Sequence, residues 1–270
     1  MFSKIDKAFY DIGRLDTLAA MDTPAHRLDP RAKVLVTIAF VINVVSFGRY
    51  EISGLLPFFL YPAVMIGLGN LPLGYLLKKL LFVSPFVLFI GIFNPWLDRT
   101  ILVRLGPLAI SGGWLSFISI LLRFILSVGA ALLLIATTGF PAVCLALNQL
   151  GAPRIFTVQL LFLYRYLFVL TEESMRMLRA HTLRSFRKGI RMSTAKQMLG
   201  NLMLRTIARA QHIQRAMLSR AFNGKIHLAR QFHFRVADFI FATGAIVVFI
   251  ILRFFNIQEL LGQLLLGSIL

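Results

Sequence analysis

Cysteine is nearly missing from this chain: Cys144 is the only one in 270 residues. A single thiol excludes an intrachain disulfide and any cysteine cage for a metal ion. Charge is scarce too. Only 15% of the residues are charged, and acids are the rarer sign, 11 against 29 Lys and Arg. No G-x-x-x-x-G-K-[ST] run is present, so no loop is built to cradle nucleotide phosphates; Gly224-Lys225 stands alone. There is no HExxH pair and no EF-hand loop. His227 and His233, the nearest histidine pair, are six residues apart and do not share a helix face. Serines, histidines and acids occur in no setting that would activate a nucleophile. The residues therefore offer no catalytic centre and no metal site.

What the chain has instead is apolar sequence. The hydrophobic fraction is 58% and the mean hydropathy +0.78. The apolar residues come in blocks of membrane-spanning length. Four precede residue 139: Val34–Phe47, Ile52–Leu68, Leu76–Phe93 and Trp114–Thr138. A fifth is Val236–Leu252. The block Ile155–Leu170 carries Arg165 at its middle, and burying that charge in a bilayer would cost several kcal/mol, so it is expected to lie along the surface. Inside the fourth block Arg123 marks a packing or pathway position, or a site near an interface; Asn43 and Asn94 are candidates for hydrogen bonds between helices. Thr23-Pro24 and Asp29-Pro30 each place a capping side chain before a proline, which predicts a helix start at both. The opening residues are mixed in charge and lack the apolar core of a cleavable signal.

The net charge of +18 is concentrated. Residues 171–235 hold 14 of the 29 Lys and Arg, with Glu172 and Glu173 as their only acids. The bias of basic residues toward the cytoplasmic side sets the orientation. With the N-terminus inside, Lys4, Lys7, Arg14, Arg27, Arg31, Lys33, Lys78, Lys79 and the whole basic segment are cytoplasmic. The expectation is an all-α polytopic protein of a cell membrane, inner or plasma, with about five transmembrane helices and a cytoplasmic pair of long helices. Its parts are a cytoplasmic amphipathic segment (1–31), a four-helix membrane region (32–138), a cytoplasmic or interfacial helical domain (139–235), and a last span with its tail (236–270).

Two helices are legible in the basic segment. Apolar or small residues recur at Leu199, Met203, Thr206, Ala210, Ile213 and Met217, in alternating steps of four and three, a heptad seam. An earlier helix spans about 167–187. Gly189 and Gly224 stand just past the two, where a C-terminal stop is expected. Each helix thus ends in Arg, a small residue and Phe: Arg184-Ser185-Phe186 and Arg220-Ala221-Phe222. A small residue beside an arginine lets a partner backbone approach while the guanidinium binds a carboxylate. Two such ends suit two copies of a partner, or two related partners. A cationic face toward anionic lipid is the simpler reading of the charge as a whole. Nucleic acid is disfavoured, because few aromatics stand between the charges and no binding motif occurs.

These residues resemble the transmembrane (T) component of energy-coupling factor (ECF) transporters, in its cobalt/nickel, CbiQ-like branch. The likeness is carried by the opening "LDTLAAMDTPAHRLDPRAK", residues 15–33, and by the order of four spans, a long cytoplasmic helical segment and a final span. It is carried also by the two arginine sites, which fall where that family has paired Ala-Arg-Gly/Ser motifs. Here they read Leu183-Arg184-Ser185 and Ser219-Arg220-Ala221, so both arginines remain, the leading Ala is replaced in both, and Ala stands for Gly or Ser in the second. The resemblance implies a non-catalytic subunit that binds no cofactor and no metal itself. Its partners would be two ABC-type ATPase subunits, which hydrolyse the ATP, and a separate substrate-binding membrane (S) subunit. Leu199, Met203, Ala210, Ile213 and Met217 would then form a mutual helix contact that stiffens the scaffold. The alternatives are a membrane-anchored basic protein binding anionic lipid or nucleic acid, and a T component serving a vitamin rather than a metal.

Overall fold

Helix starts appear where a capping side chain precedes proline. In this computed structural model, which describes residues 13, 15–97, 101–105, 108–185, 191–222 and 234–254, Pro30 opens helix α1 (Pro30–Val45), and the Asp29 carboxylate accepts the Arg31 N–H at 2.8 Å. Thr23 behaves differently. It precedes the single turn Pro24–Arg27, but its hydroxyl meets His26 Nδ1 at 2.6 Å and caps no backbone group. A 3-10 stretch, Ser53–Phe59, runs into α2 (Leu60–Gly69), which closes on Asn70 in the left-handed region at φ +48°. Helix α3 (Leu73–Gly91) contains Pro85, whose missing N–H leaves the Leu81 carbonyl without its helical partner; the Ser84 hydroxyl donates to that carbonyl at 3.0 Å instead.

Between the third and fourth apolar blocks the chain makes a small antiparallel pair of strands, β1 (Ile101–Leu105) with β2 (Leu108–Ser111). The fold remains an all-α polytopic membrane protein. Helix α4 (Gly112–Thr138) follows, and Gly139 at φ +81° turns the chain directly into α5 (Phe140–Gln149). Then come α6 (Arg154–Arg184), α7 (Met192–Ser219) and α8 (Val236–Phe254).

Among the described residues, four stretches are long and apolar enough to cross a membrane: Leu73–Trp96, Gly112–Thr138, Arg154–Arg184 and Val236–Phe254. Helix α1, at 16 residues, is about 24 Å long at 1.5 Å per residue, a little short of the hydrocarbon core. The third of the four differs from expectation. Neither glycine nor proline interrupts residues 154–184, so the block read as surface-lying and the helix read as starting near 167 are one continuous helix.

Close contacts divide the chain into two compact units. One contains the described residues up to Val143 together with Phe234–Phe254; the other runs from Cys144 to Phe222. The first unit is built on α1, α4 and α8. Helices α1 and α8 run parallel. Asp29 meets Asp238 at their N-terminal ends, and Ser46 accepts from Arg253 at 3.0 Å at their C-terminal ends. Helix α4 runs the other way, since Lys33 near the start of α1 reaches Thr137 near the end of α4. Their shared core is aromatic. Phe40, Phe58 and Phe249 meet with ring centroids 5.3–6.1 Å apart, and Val36, Val44, Leu126 and Ala130 fill in around them. Arg123 donates to the Gly48 carbonyl in the loop after α1, the loop that Arg253 also holds. That sets Arg123, in the interior of α4, against the loop that follows α1. Asn43 bonds within its own helix, to the Ala39 carbonyl at 2.8 Å, rather than to a neighbouring helix among the described residues.

Candidate functional site

The second unit is a hairpin of two long helices. Its polar residues settle the backbone locally. Thr171, Ser174 and Thr206 return hydroxyl bonds to the carbonyls four residues back, and Glu172 pairs with Arg176 at 2.6 Å one turn on. Between helices, Arg205 Nη1 donates to Glu173 Oε1. The Phe222 ring meets that of Phe162. The middle of α7 therefore faces the later part of α6, and the end of α7 faces the first half of α6, so the pair is antiparallel. Helix α7 has 28 residues, a rod of about 42 Å. Arg184 sits at the turn end of this hairpin and Arg220 at the far end of α7.

The two ends carry the same tripeptide start and stop differently. Helix α6 finishes on Arg184, with Ser185 extended at φ −102° and its N–H bonded to the His181 carbonyl at 2.9 Å. Helix α7 finishes in a left-handed stop. The Ala221 N–H bonds the Leu218 carbonyl and the Phe222 N–H bonds the Met217 carbonyl, both at 3.0 Å, and Ala221 takes φ +51°. This paired pattern is the Schellman motif, which favours glycine at the left-handed position because a Cβ is crowded there. The same stop closes α2 with Asn70, a residue that tolerates the conformation better. Alanine at 221 thus carries strain at the second arginine end. Gly189 and Gly224, the expected stops, lie outside the described residues, as does Phe186.

Both arginines are exposed, and among the described residues neither guanidinium has an ion-pair partner. Leu183 beside Arg184 stands 89% exposed; Ser219 beside Arg220 returns its hydroxyl to the Arg215 carbonyl. No residue of α7 is buried. A helix with this many exposed apolar side chains has a face left for something else to cover.

The predicted seam is only partly brought together. Ile213 and Met217 are half-buried, but Leu199 and Met203 are 59% and 61% exposed, and Ala210 is exposed. The half-buried face runs instead through Met198, Leu202, Thr206, Ile213 and Met217. A groove of about 620 Å³ lies along it, lined by Val169, Leu170, Thr206, Ile213 and Ala216 among others. A second, of about 640 Å³, contains Met177, His181, Arg184, Met198 and Asn201. The exposed apolar residues Leu204, Ile207 and Leu218 were not singled out by the sequence pattern, although Leu204 and Ile207 are one helical turn apart. Among the described residues no three metal-ligating side chains gather.

Comparison with known proteins places these features. The profile of the family described as "Cobalt transport protein" matches residues 21–233. The energy-coupling factor transporter transmembrane protein EcfT of Ruminiclostridium cellulolyticum is 28% identical over 240 residues, covering 83% of this chain and 89% of that one. Its counterpart in Thermosediminibacter oceani is 26% identical over 247 residues, covering 83% and 91%. The cobalt transport protein CbiQ of Salmonella typhimurium is 30% identical over 110 residues, covering 39% and 48%.

Proposed function

The chain belongs to the cobalt transport protein family, and from that premise we propose that it is the energy-coupling scaffold of an ECF-type importer for cobalt or nickel ions. In this reading it hydrolyses nothing. Two ABC-type ATPase subunits dock on the ends of α6 and α7, and a separate membrane subunit binds the substrate. Closing and opening of the ATPase pair moves the helix hairpin, and the hairpin moves the substrate subunit. The N-terminus and the hairpin are cytoplasmic, where the concentration of Lys and Arg in residues 171–235 belongs.

One observation supports this reading above the rest. Two arginines stand exposed at the C-terminal stops of two long antiparallel helices, α6 and α7, and neither is spent on an ion pair among the described residues. A guanidinium so presented is suited to a partner carboxylate. A face that only attracted anionic lipid would need the charge but not those two positions. The choice of cobalt or nickel over a vitamin rests on the family description alone.

The test is a pull-down from native membrane in mild detergent, comparing wild type with the Arg184→Glu/Arg220→Glu double variant. Recovery of P-loop ATPases with wild type and their loss from the variant is the expected result. Truncating a desolvated charge contact costs about 2–5 kcal/mol. Lipid without any ATPase in either sample would replace the proposal with the anchored lipid-binding reading.

A further inference from the structure

Three charged side chains are buried in the unit that holds α1, α4 and α8: Lys33, Asp29 and Asp238, none more than 3% exposed. Burying charge is costly unless it is bonded. Here the bonds go to helix ends. Asp238 Oδ1 accepts the Asp29 N–H, and Asp238 Oδ2 accepts the Arg235 N–H, both at 2.8 Å. A single carboxylate thereby holds the starts of both α1 and α8, and the positive ends of two helix dipoles favour its charge. Lys33 Nζ donates to the Thr137 carbonyl at 2.9 Å, in the last turn of α4, where a cation is favoured for the opposite reason. Three helix ends, drawn from residues as much as 209 apart, share one polar knot.

Connectivity gives the knot a role. The chain leaves this unit after Val143, shortly past Thr137, and is back in it by Phe234 and Arg235, just before Asp238. Both covalent roots of the helix hairpin are therefore fastened within a few residues of where they leave the spans. Gly139 at φ +81° makes the first root a tight turn rather than a slack linker.

We infer that Asp238, Asp29 and Lys33 are positioning residues that anchor both roots of the coupling hairpin, so that motion imposed on Arg184 and Arg220 is passed to the membrane spans. The inference rests on the proposed function, because it takes ATP-driven motion as arriving at those arginines. A lever on slack roots would move without moving the spans, and ATP would be hydrolysed without transport. Loss of the knot is thus expected to uncouple rather than to inactivate.

The experiment reconstitutes the complete complex in vesicles and measures ATP hydrolysis and uptake of divalent cobalt on the same sample. Asp238→Ala and Lys33→Gln are expected to keep the ATPases and hydrolyse near the wild-type rate. Cobalt moved per ATP should fall about tenfold or more, the scale set by losing a buried hydrogen bond to a charged group. Asp238→Asn, which keeps an oxygen for the Asp29 N–H, should fall less; it carries the test together with Lys33→Gln if Asp238→Ala does not assemble. An unchanged ratio overturns the inference. So does a proportional fall of hydrolysis and uptake, which a purely structural role would give. A wild-type complex that holds no ATPase is a failure of the proposed function itself, visible before any variant is made.

Discussion

The rings of Phe222 and Phe162 lie 6.4 Å apart, tilted by 53°. Phe162 also stacks on Tyr166, so the residue two positions beyond Arg220 is pinned to the first half of α6. The place of the second arginine is fixed twice over, by the backbone stop at Ala221 and by the ring of Phe222. Phe222→Ala should free the end of α7. Because Phe222 is half-buried, a stability loss of about 1–2 kcal/mol is expected, below that of a fully buried ring. Faster amide exchange over residues 214–222 with little change over α6 is the signature to look for. Uniform exchange across the hairpin would show that the ring contact matters to the whole unit and not to its end.

Ala221 offers a cleaner test of the same stop. Its φ of +51° is costly for any residue with a Cβ and nearly free for glycine. Ala221→Gly should stabilise the hairpin by about 1 kcal/mol, and Ala221→Val should destabilise it by at least as much. Thermal unfolding of the purified protein reads both. If glycine brought no gain, the left-handed stop would not persist in solution.

These positions show where the sequence is readable. The long apolar helices from Leu73, Gly112 and Val236 follow from hydropathy, and the two arginine helix ends from a repeated Arg-small-Phe pattern, because each is a local pattern. The stop of α7 is not local in that sense. A search for glycine points to Gly224, whereas the chain turns earlier, on an alanine. The seam is displaced for a related reason. Steps of four and three define a stripe but not which neighbouring stripe faces α6, and the Glu173–Arg205 pair helps settle that in favour of Met198, Leu202 and Thr206. The role of Asp238 could not be read at all, since its partner lies 209 residues away. Arg123 and Asn43 were ambiguous because an apolar run gives no sign of where a loop folds back on it.

Glu173 is 22% exposed and Arg205 64%, so their pair is partly screened by solvent. A double-mutant cycle with Glu173→Gln and Arg205→Gln should give a coupling of about 1 kcal/mol at low salt, shrinking as salt is raised. A coupling that ignored salt would mean that the pair acts through packing of the long side chains rather than through charge.

Gly91 ends α3 where the Phe117 ring of α4 passes. A Cβ there would meet the ring at 2.7 Å, closer than real carbon contacts come. Gly91→Val should force the two helices apart at a cost of about 1–3 kcal/mol. Gly67, with open space around it, accepts a larger residue at the helix-propensity scale alone and serves as the control. Equal melting of the two variants would place Phe117 elsewhere in solution.

Cys144 lies in α5, outside the four helices long enough to span, and is buried. Burial pushes its thiol up to about 11, so at pH 8 almost none is the reactive thiolate. A maleimide should leave the native chain unlabelled at that pH and label it once denatured. The native cysteine then acts as a silent background for a second thiol placed at the proposed docking site. Leu183→Cys, at a position 89% exposed, should label at once in the isolated chain. In the complete complex the same thiol should be protected, because the proposal puts an ATPase over that helix end. Label at residue 183 that is equally fast with and without the partners would remove the end of α6 from the docking surface, whatever the charge of its arginine.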